Sequence, residues 1–412
     1  MTLTSLALAY ARRRPLATLL VVALAALGVA IATLTLVVSQ ELERRLHGDA
    51  AGIDLVVGAK GSPLQLVLAG VYHADVPPGN IPYASLAALR ANPRVAEAIP
   101  LALGDSVGGF RIVGTEPALA EHYRATLAAG AMFGAPMQAV LGSDVARLTG
   151  LAIGAAFAGT HGLAPGGGAH AEDPYTVVGI LAPTGRVVDR LVLTPLASVW
   201  DVHERHHAAT PAPAKPANGK GSGAKAVKED DDRELTLVLV RYATPLAATS
   251  LAREINAQSA LVAASPAGET ARLFTVFGVG LDLVRAFAAV LVGAATLLLF
   301  VALAQALEER RYDLAILRAL GARRRDLVFV LMAESVTLAL AGALLGVLLG
   351  HVAAASIGAW LPAAAPLAGA AWRPSLQEGA VVALALAGGI LAACWPAWRA
   401  SRLDVAAALS DA

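Results

Sequence analysis

The sequence is short of charge. Asp, Glu, Lys and Arg make up 15% of its 412 residues, against about a quarter in an ordinary globular domain. Hydrophobic residues reach 57%, and the mean hydropathy is +0.62. That deficit points to a membrane protein. The net charge of +1 supplies no global field for nucleic acid, so nucleic acid is not an expected partner. Cysteine is nearly missing. Cys394 stands alone, which excludes an internal disulfide and any Cys-rich metal site. A nucleotide-binding loop is missing too. Gly58–Ser62 and Gly219–Ser222 contain Gly, Lys and Ser. Neither has the spacing of Gly, four residues, then Gly-Lys-Ser/Thr that cradles phosphates.

Long apolar runs are plentiful. A helix needs about 20 apolar residues to cross the hydrocarbon core. Pro15–Val38 is free of charge for 24 residues and Ala286–Ala306 for 21. Leu327–Gly350 is apolar except for Glu334, and Gly379–Trp395 is the shortest, at 17 residues. The first run follows Arg12, Arg13 and Arg14, as a signal peptide would. It is longer than the roughly 7–15 residues of a signal h-region, and Val38-Ser39-Gln40-Glu41 offers no small-residue cleavage site. It reads as an uncleaved anchor. Lys and Arg mark the cytoplasmic side. Arg310, Arg311, Arg318, Arg323, Arg324 and Arg325 lie between the second and third runs, and Arg399 and Arg402 follow the fourth. The loop between the third and fourth holds only Arg373. Four spans put all the basic clusters on one side. Both termini and the 307–326 loop are then cytoplasmic, and about 40–280 lies outside.

The expected fold is a membrane protein of four transmembrane α-helices, with a large α+β extracytoplasmic domain inserted between helices 1 and 2. The divisions are 1–39, 40–280 and 281–412. Short apolar runs between turn residues predict strands at Ile53–Val57, Phe110–Val113, Gln138–Leu141, Tyr175–Leu181, Arg190–Thr194 and Leu235–Arg241. Helices are predicted at Tyr83–Ala91 and Ser143–Leu148. Residues 208–232 are Ala, Pro, Lys, Gly and Ser ending in Glu229–Asp232, a composition that builds no core and predicts a flexible loop. Pro165–Gly168 is a second loop. Gln40–His47 extends the first span as a charged helix, and Glu269–Arg285 feeds the second as an amphipathic one. Together they predict a helical stalk.

Four features carry candidate chemistry. Tyr312, Leu314, Ile316, Leu317 and Leu320 give a short helix an apolar face, flanked by arginines and closed by Gly321 as a C-cap. Such a helix lies on anionic lipid or docks in a partner's groove. Gly342, Gly346 and Gly350 recur every four residues on the third span and allow close helix approach. Glu334, about two turns into that span, is costly in lipid and is read as pairing with Arg318 or Arg325, or as serving transport directly. His351 is placed at the end of the same span. Last, His203-Glu204-Arg205-His206-His207 fits the H-E-x-x-H zinc pattern. The string runs straight into the 208–232 loop, so a buried protease site is disfavoured. The remaining readings are a weak metal patch of His203, His206 and His207 with Glu229–Asp232, or a solvated loop. His73, His122, His161 and His170 are further candidates for metal handling.

The order of these features resembles the FtsX/MacB family of ABC-transporter permeases: one span, a large outer domain, then three spans. Glu309-Arg310-Arg311-Tyr312-Asp313-Leu314-Ala315-Ile316-Leu317-Arg318-Ala319-Leu320-Gly321-Ala322 resembles the family's cytoplasmic coupling segment. Pro396-Ala397-Trp398-Arg399-Ala400, followed by Leu403–Leu409, is similar to its C-terminal tail. Val140-Leu141-Gly142-Ser143-Asp144-Val145-Ala146 resembles a strand-to-helix turn of the MacB-type periplasmic core domain. Val57–Leu66, Tyr72-His73 and Pro78-Gly79-Asn80 depart from that pattern. The resemblance implies a bacterial inner-membrane permease, homodimeric, served by two copies of a cytoplasmic ABC ATPase that carries the ATP and Mg. It implies no cofactor on this chain and no catalytic residue. It assigns ATPase coupling to Arg310, Arg311, Tyr312, Asp313, Leu314, Leu317, Arg318, Leu320 and Gly321. A periplasmic or outer-membrane partner and membrane lipid complete the expected contacts. The implied work is mechanical transmission for export, lipoprotein or lipid handling, or metal-linked transport. The alternative within the family is a regulator of partners such as cell-wall hydrolases that transports nothing. An unrelated receptor with a sensory outer domain is the third reading.

Overall fold

From Pro15 a helix runs unbroken to Ala50. In this computed structural model, which describes residues 15–161, 174–209, 233–309, 311–361 and 364–402, three more helices match it in length and apolarity. They are Pro266–Glu309, Arg324–Trp360 and Leu376–Ser401. Among the described residues the protein therefore has four helices able to cross a membrane, with a mixed α/β region between the first and second. The chain divides into two compact units, one of Met1–Arg44 with Thr275–Ala412 and the other of Arg45–Phe274. The sequence divisions at 39/40 and 280/281 fall several residues from these.

Within the helical unit, small residues set the packing. A Cβ added at Gly342 would lie 2.8 Å from Ala25 Cβ, one at Gly346 2.6 Å from Val29 Cβ, and one at Gly350 2.7 Å from Thr33 Cβ. The glycine row of the third long helix thus faces the first helix of the same chain. The fourth helix is joined to the third by Ser335 Oγ donating to Gly389 O at 2.6 Å. It is 26 residues long rather than 17. The Ser375 backbone N–H donates to Glu378 Oε1 at 3.2 Å and starts the helix early, and the helix runs on past Pro396 to Ser401. Likewise the third helix continues to Trp360, so His351 does not end it. Its Nε2 lies 3.1 Å from Glu378 Oε2 on the fourth helix. Glu334 is buried beside Ser335.

Among the described residues the second unit is built on an eleven-stranded sheet of order β13-β1-β12-β3-β4-β10-β6-β9-β5, with β7 on β9 and β8 on β3. The strands are β1 Leu55–Ala59, β3 Val95–Val107, β4 Phe110–Thr115, β5 Leu127–Gly130, β6 Gln138–Leu141, β7 Ala156–Phe157, β8 Thr160–His161, β9 Tyr175–Leu181, β10 Leu191–Pro195, β12 Leu237–Tyr242 and β13 Leu261–Ala264; β2 Ile81–Pro82 and β11 Glu234–Leu235 form a separate pair. Side chains alternate across a strand, and both faces are covered. Val56 packs with Leu66, Leu101 and Leu239 on one side, while Leu55 and Val57 pack with Leu86, Val238 and Val240 on the other. All six sequence-predicted strands are present, Gln138–Leu141 and Tyr175–Leu181 with the predicted bounds and the other four with shifted ends. The 13-residue β3 was not predicted. It contains Pro100 and Gly104, which read as breakers, and its register shifts between Leu103 and Ser106.

Candidate functional site

Two places gather the residues that a coupling protein would use. The first is the helix Arg311–Ala319 between the second and third long helices. Its end is a Schellman motif. Gly321 takes φ +104, its N–H donates to Arg318 O, and the Ala322 N–H donates to Leu317 O, both at 3.0 Å. The helix has two apolar faces. Leu314 and Ala315 are buried, and Leu314 and Leu317 pack with Leu307, Leu327, Leu331 and Ala397. Tyr312, Ile316 and Leu320 point away, with Leu320 81% exposed. At 3.6 residues per turn these three span only about 80°. The single apolar face read from the sequence is corrected here: Leu314 and Leu317 hold the helix to its own bundle. Arg311 pairs with Glu308 at 3.2 Å, and Arg399 reaches the same carboxylate at 2.7 Å. Arg323, Arg324 and Arg325 are exposed just beyond, where the Arg323 N–H donates to Asp326 Oδ2 at 2.8 Å and opens the third long helix. Arg310, the side chain of Asp313, residues 1–14 with Arg12–Arg14, and the tail 403–412 lie outside the described residues.

The second place lies wholly inside the α/β unit, where the stalk segments enter. The last carbonyls of a helix lack intrahelical donors, and here side chains of the domain reach that turn. The Arg186 guanidinium donates to Gly48 O, and Tyr123 Oη donates to Asp49 O at 3.4 Å. Tyr72 Oη donates to Leu46 O at 3.3 Å. The same phenol oxygen is 2.6 Å from Thr270 Oγ1 in the other stalk segment. Burial raises the Tyr72 phenol above its ordinary value, so it keeps its proton. The His47 ring stacks on Phe274 with centroids 6.1 Å apart, a second tie between the two segments. Asp49 Oδ1 accepts from the Val187 N–H at 2.8 Å. Burial nevertheless pushes this carboxyl up to about 6, against the lowering effects of that bond and of Arg45 and Arg186.

Beside Tyr72, His73 turns the chain at φ +51. It is buried, and both ring nitrogens lack a hydrogen-bond partner. Burial, with the Arg111 guanidinium second, pushes its pKa down to about 3. Burial also lowers His122. Among the described residues no group of three or more His, Cys, Asp or Glu is arranged to hold a metal. The backbone at His203, His206 and His207 lies on the helix Leu196–Ala209, but their side chains, that of His161, and the whole of His170, Pro165–Gly168 and 210–232 fall outside the described residues. Composition did not reveal Tyr72, Thr270, Asp49 or Arg186.

The MacB-like periplasmic core domain matches residues 18–258, and the FtsX-like permease C-terminal domain matches residues 285–405. No curated protein sequence matches. Two similar solved structures are the periplasmic region of MacB from Actinobacillus actinomycetemcomitans and the extracellular domain of the noncanonic ABC-type transporter YknZ from Gram-positive bacteria. The first is 10% identical, covers 57% of this chain and 97% of its own, and has a TM-score of 0.33. The second is 12% identical, covers 51% and 98%, and has a TM-score of 0.30.

Proposed function

The chain belongs to the FtsX/MacB family of ABC-transporter permeases, and from that membership we propose that it turns ATP hydrolysis on a separate chain into movement of its α/β unit. The observation that carries this reading is the outward stripe of Tyr312, Ile316 and Leu320. One face of their helix is fixed in the bundle by Leu314 and Leu317, while the other leaves large apolar side chains bare. A helix held this way is a rigid handle that fits a groove on a partner ATPase. The exposed arginines that follow suit an acidic rim and anionic lipid alike. This side of the membrane is cytoplasmic in the proposal, along with both termini.

Motion then passes along Pro15–Ala50 and Pro266–Glu309, each a single helix with residues in both units. Inside the α/β unit their ends are tied by the side chains of Tyr72, Tyr123 and Arg186. Two copies of the permease per two ATPases complete the proposal. A stripe on the second long helix supports the homodimer. Val276, Leu283, Val290 and Leu297 recur every seven residues, and Val276 and Leu283 are each 73% exposed. A sustained seven-residue repeat is the pattern of helix pairing, and Gly293 on this stretch has open space where a Cβ would stand. ATP and Mg belong to the partner chain. Ile316→Asp and Leu320→Asp are expected to leave the permease folded in mild detergent and to reduce recovery of the ATPase at least tenfold. Recovery of the ATPase at wild-type yield with both variants would end this reading.

A further inference from the structure

Tyr72 sits on the segment that follows the helix Pro63–Gly70, between β1 and β2. Its phenol oxygen makes two contacts, one to each stalk segment. Leu46 O accepts at 3.3 Å, and Thr270 Oγ1 lies at 2.6 Å. A phenol has one proton to give. With that proton on the Leu46 carbonyl, the Thr270 hydroxyl is the donor to the phenol oxygen. The result is a directional chain, Thr270 to Tyr72 to Leu46, in which each bond polarises the next. Thr270 is buried, so water does not compete freely for its hydroxyl. Tyr72 itself packs against the buried cluster of the sheet, and the next residue, His73, is buried at a positive φ. Arg186 and Tyr123 also hold the end of the first segment, but those two contacts do not extend to the second.

We propose that Tyr72 is a positioning residue for transmission, whose hydroxyl makes the two stalk segments and the sheet move as one body. This rests on the mechanical reading of function given above. Without the hydroxyl, the second segment loses its hydrogen-bonded link to the domain and keeps the His47–Phe274 stack, so it can shift while Arg186 and Tyr123 still hold the first. The sites that bind the ATPase are untouched, so ATP turnover continues while the domain's response weakens.

The test uses the full permease–ATPase complex in nanodiscs. Cys394→Ser removes the native thiol, and spin labels are placed at exposed Lys60 and Arg373 after substitution by Cys. Labelled chains are diluted into unlabelled ones, so each distance is read within one chain. The distance distribution is recorded nucleotide-free and after vanadate trapping, and ATP turnover is measured on the same samples. Wild type is expected to shift on trapping. Tyr72→Phe and, from the other side of the bond, Thr270→Val are each expected to keep ATP turnover within twofold and to lose at least half of the shift. The double variant is expected to lose no more than either single one, because one chain of bonds is broken once. A wild-type complex with no shift overturns the mechanical reading itself. A wild-type shift that both single variants retain in full overturns the role of Tyr72 alone. A melting temperature lowered in both variants with the shift intact marks the bond as structural and also overturns the proposal.

Discussion

Gly346 shows how little room the bundle leaves. A Cβ there would stand 2.6 Å from Val29 Cβ and 2.7 Å from Ala26 O, and the backbone oxygen cannot rotate away. Overpacking of this kind costs about 1–3 kcal/mol. Gly346→Val should lower the detergent melting temperature and weaken the contact between the first and third long helices. The same change at Gly293, which has nothing within 4 Å, should leave the melting of the single chain unchanged. The four-residue glycine spacing was legible in the sequence; that it faces Ala25, Val29 and Thr33 of the same chain was not, because spacing alone names no partner. Two titrating groups by the stalk entry pull stability in opposite directions. His73 is held near 3, so the folded form binds fewer protons than the unfolded one between about 6.5 and 3. Its contribution is therefore lost as pH falls through that window. Asp49 is raised to about 6, so the folded form binds more protons between about 4 and 6. Its contribution is present below about pH 4 and lost as pH rises through 6. Asp49→Asn should make the acid side of the stability profile steeper, and His73→Gln should flatten it. Chemical denaturation of the purified chain from pH 4 to 7.5 checks both signs.

At the scale of elements, the four apolar runs were legible because lipid demands about 20 residues of one kind, and nothing else in the chain supplies them. The charged extensions Gln40–His47 and Glu269–Arg285 were legible as helix too, and both are helical, since a helix satisfies its own backbone whatever its side chains face. The ends of the third and fourth helices, at Trp360 and Ser401, were not. The strand β3 escaped notice as well. Pro100 interrupts its pattern, but the Pro100 carbonyl accepts from Thr115 Oγ1 at 2.8 Å, and the neighbouring strands carry the pairing past it. The linking helix is the instructive case. Its apolar residues looked like one docking surface. Packing of Leu314 and Leu317 against Leu307, Leu327 and Leu331 splits them into a face that holds and a face that is offered. Leu314→Asp buries a charge in that cluster and should unfold or mislocalise the permease. Ile316→Asp should do neither, and pulse-chase degradation in cells separates the two outcomes.

At the scale of the molecule, the proposed function has a separate ATPase drive this chain through a small handle, with two helices that each have residues in both units carrying the effect to the sheet. Everything downstream depends on the handle being offered to the partner by its outward face. Cysteine cross-linking along that helix reads this directly. In a Cys394→Ser background, single cysteines replace Tyr312, Leu314, Ala315, Ile316 and Leu320, and membranes containing the intact complex are treated with a short thiol-to-amine linker. Adducts between permease and ATPase are expected at positions 312, 316 and 320, with little or none at 314 and 315. Equal cross-linking at all five positions, or none at 316 and 320, would contradict the docking of an ATPase on this helix.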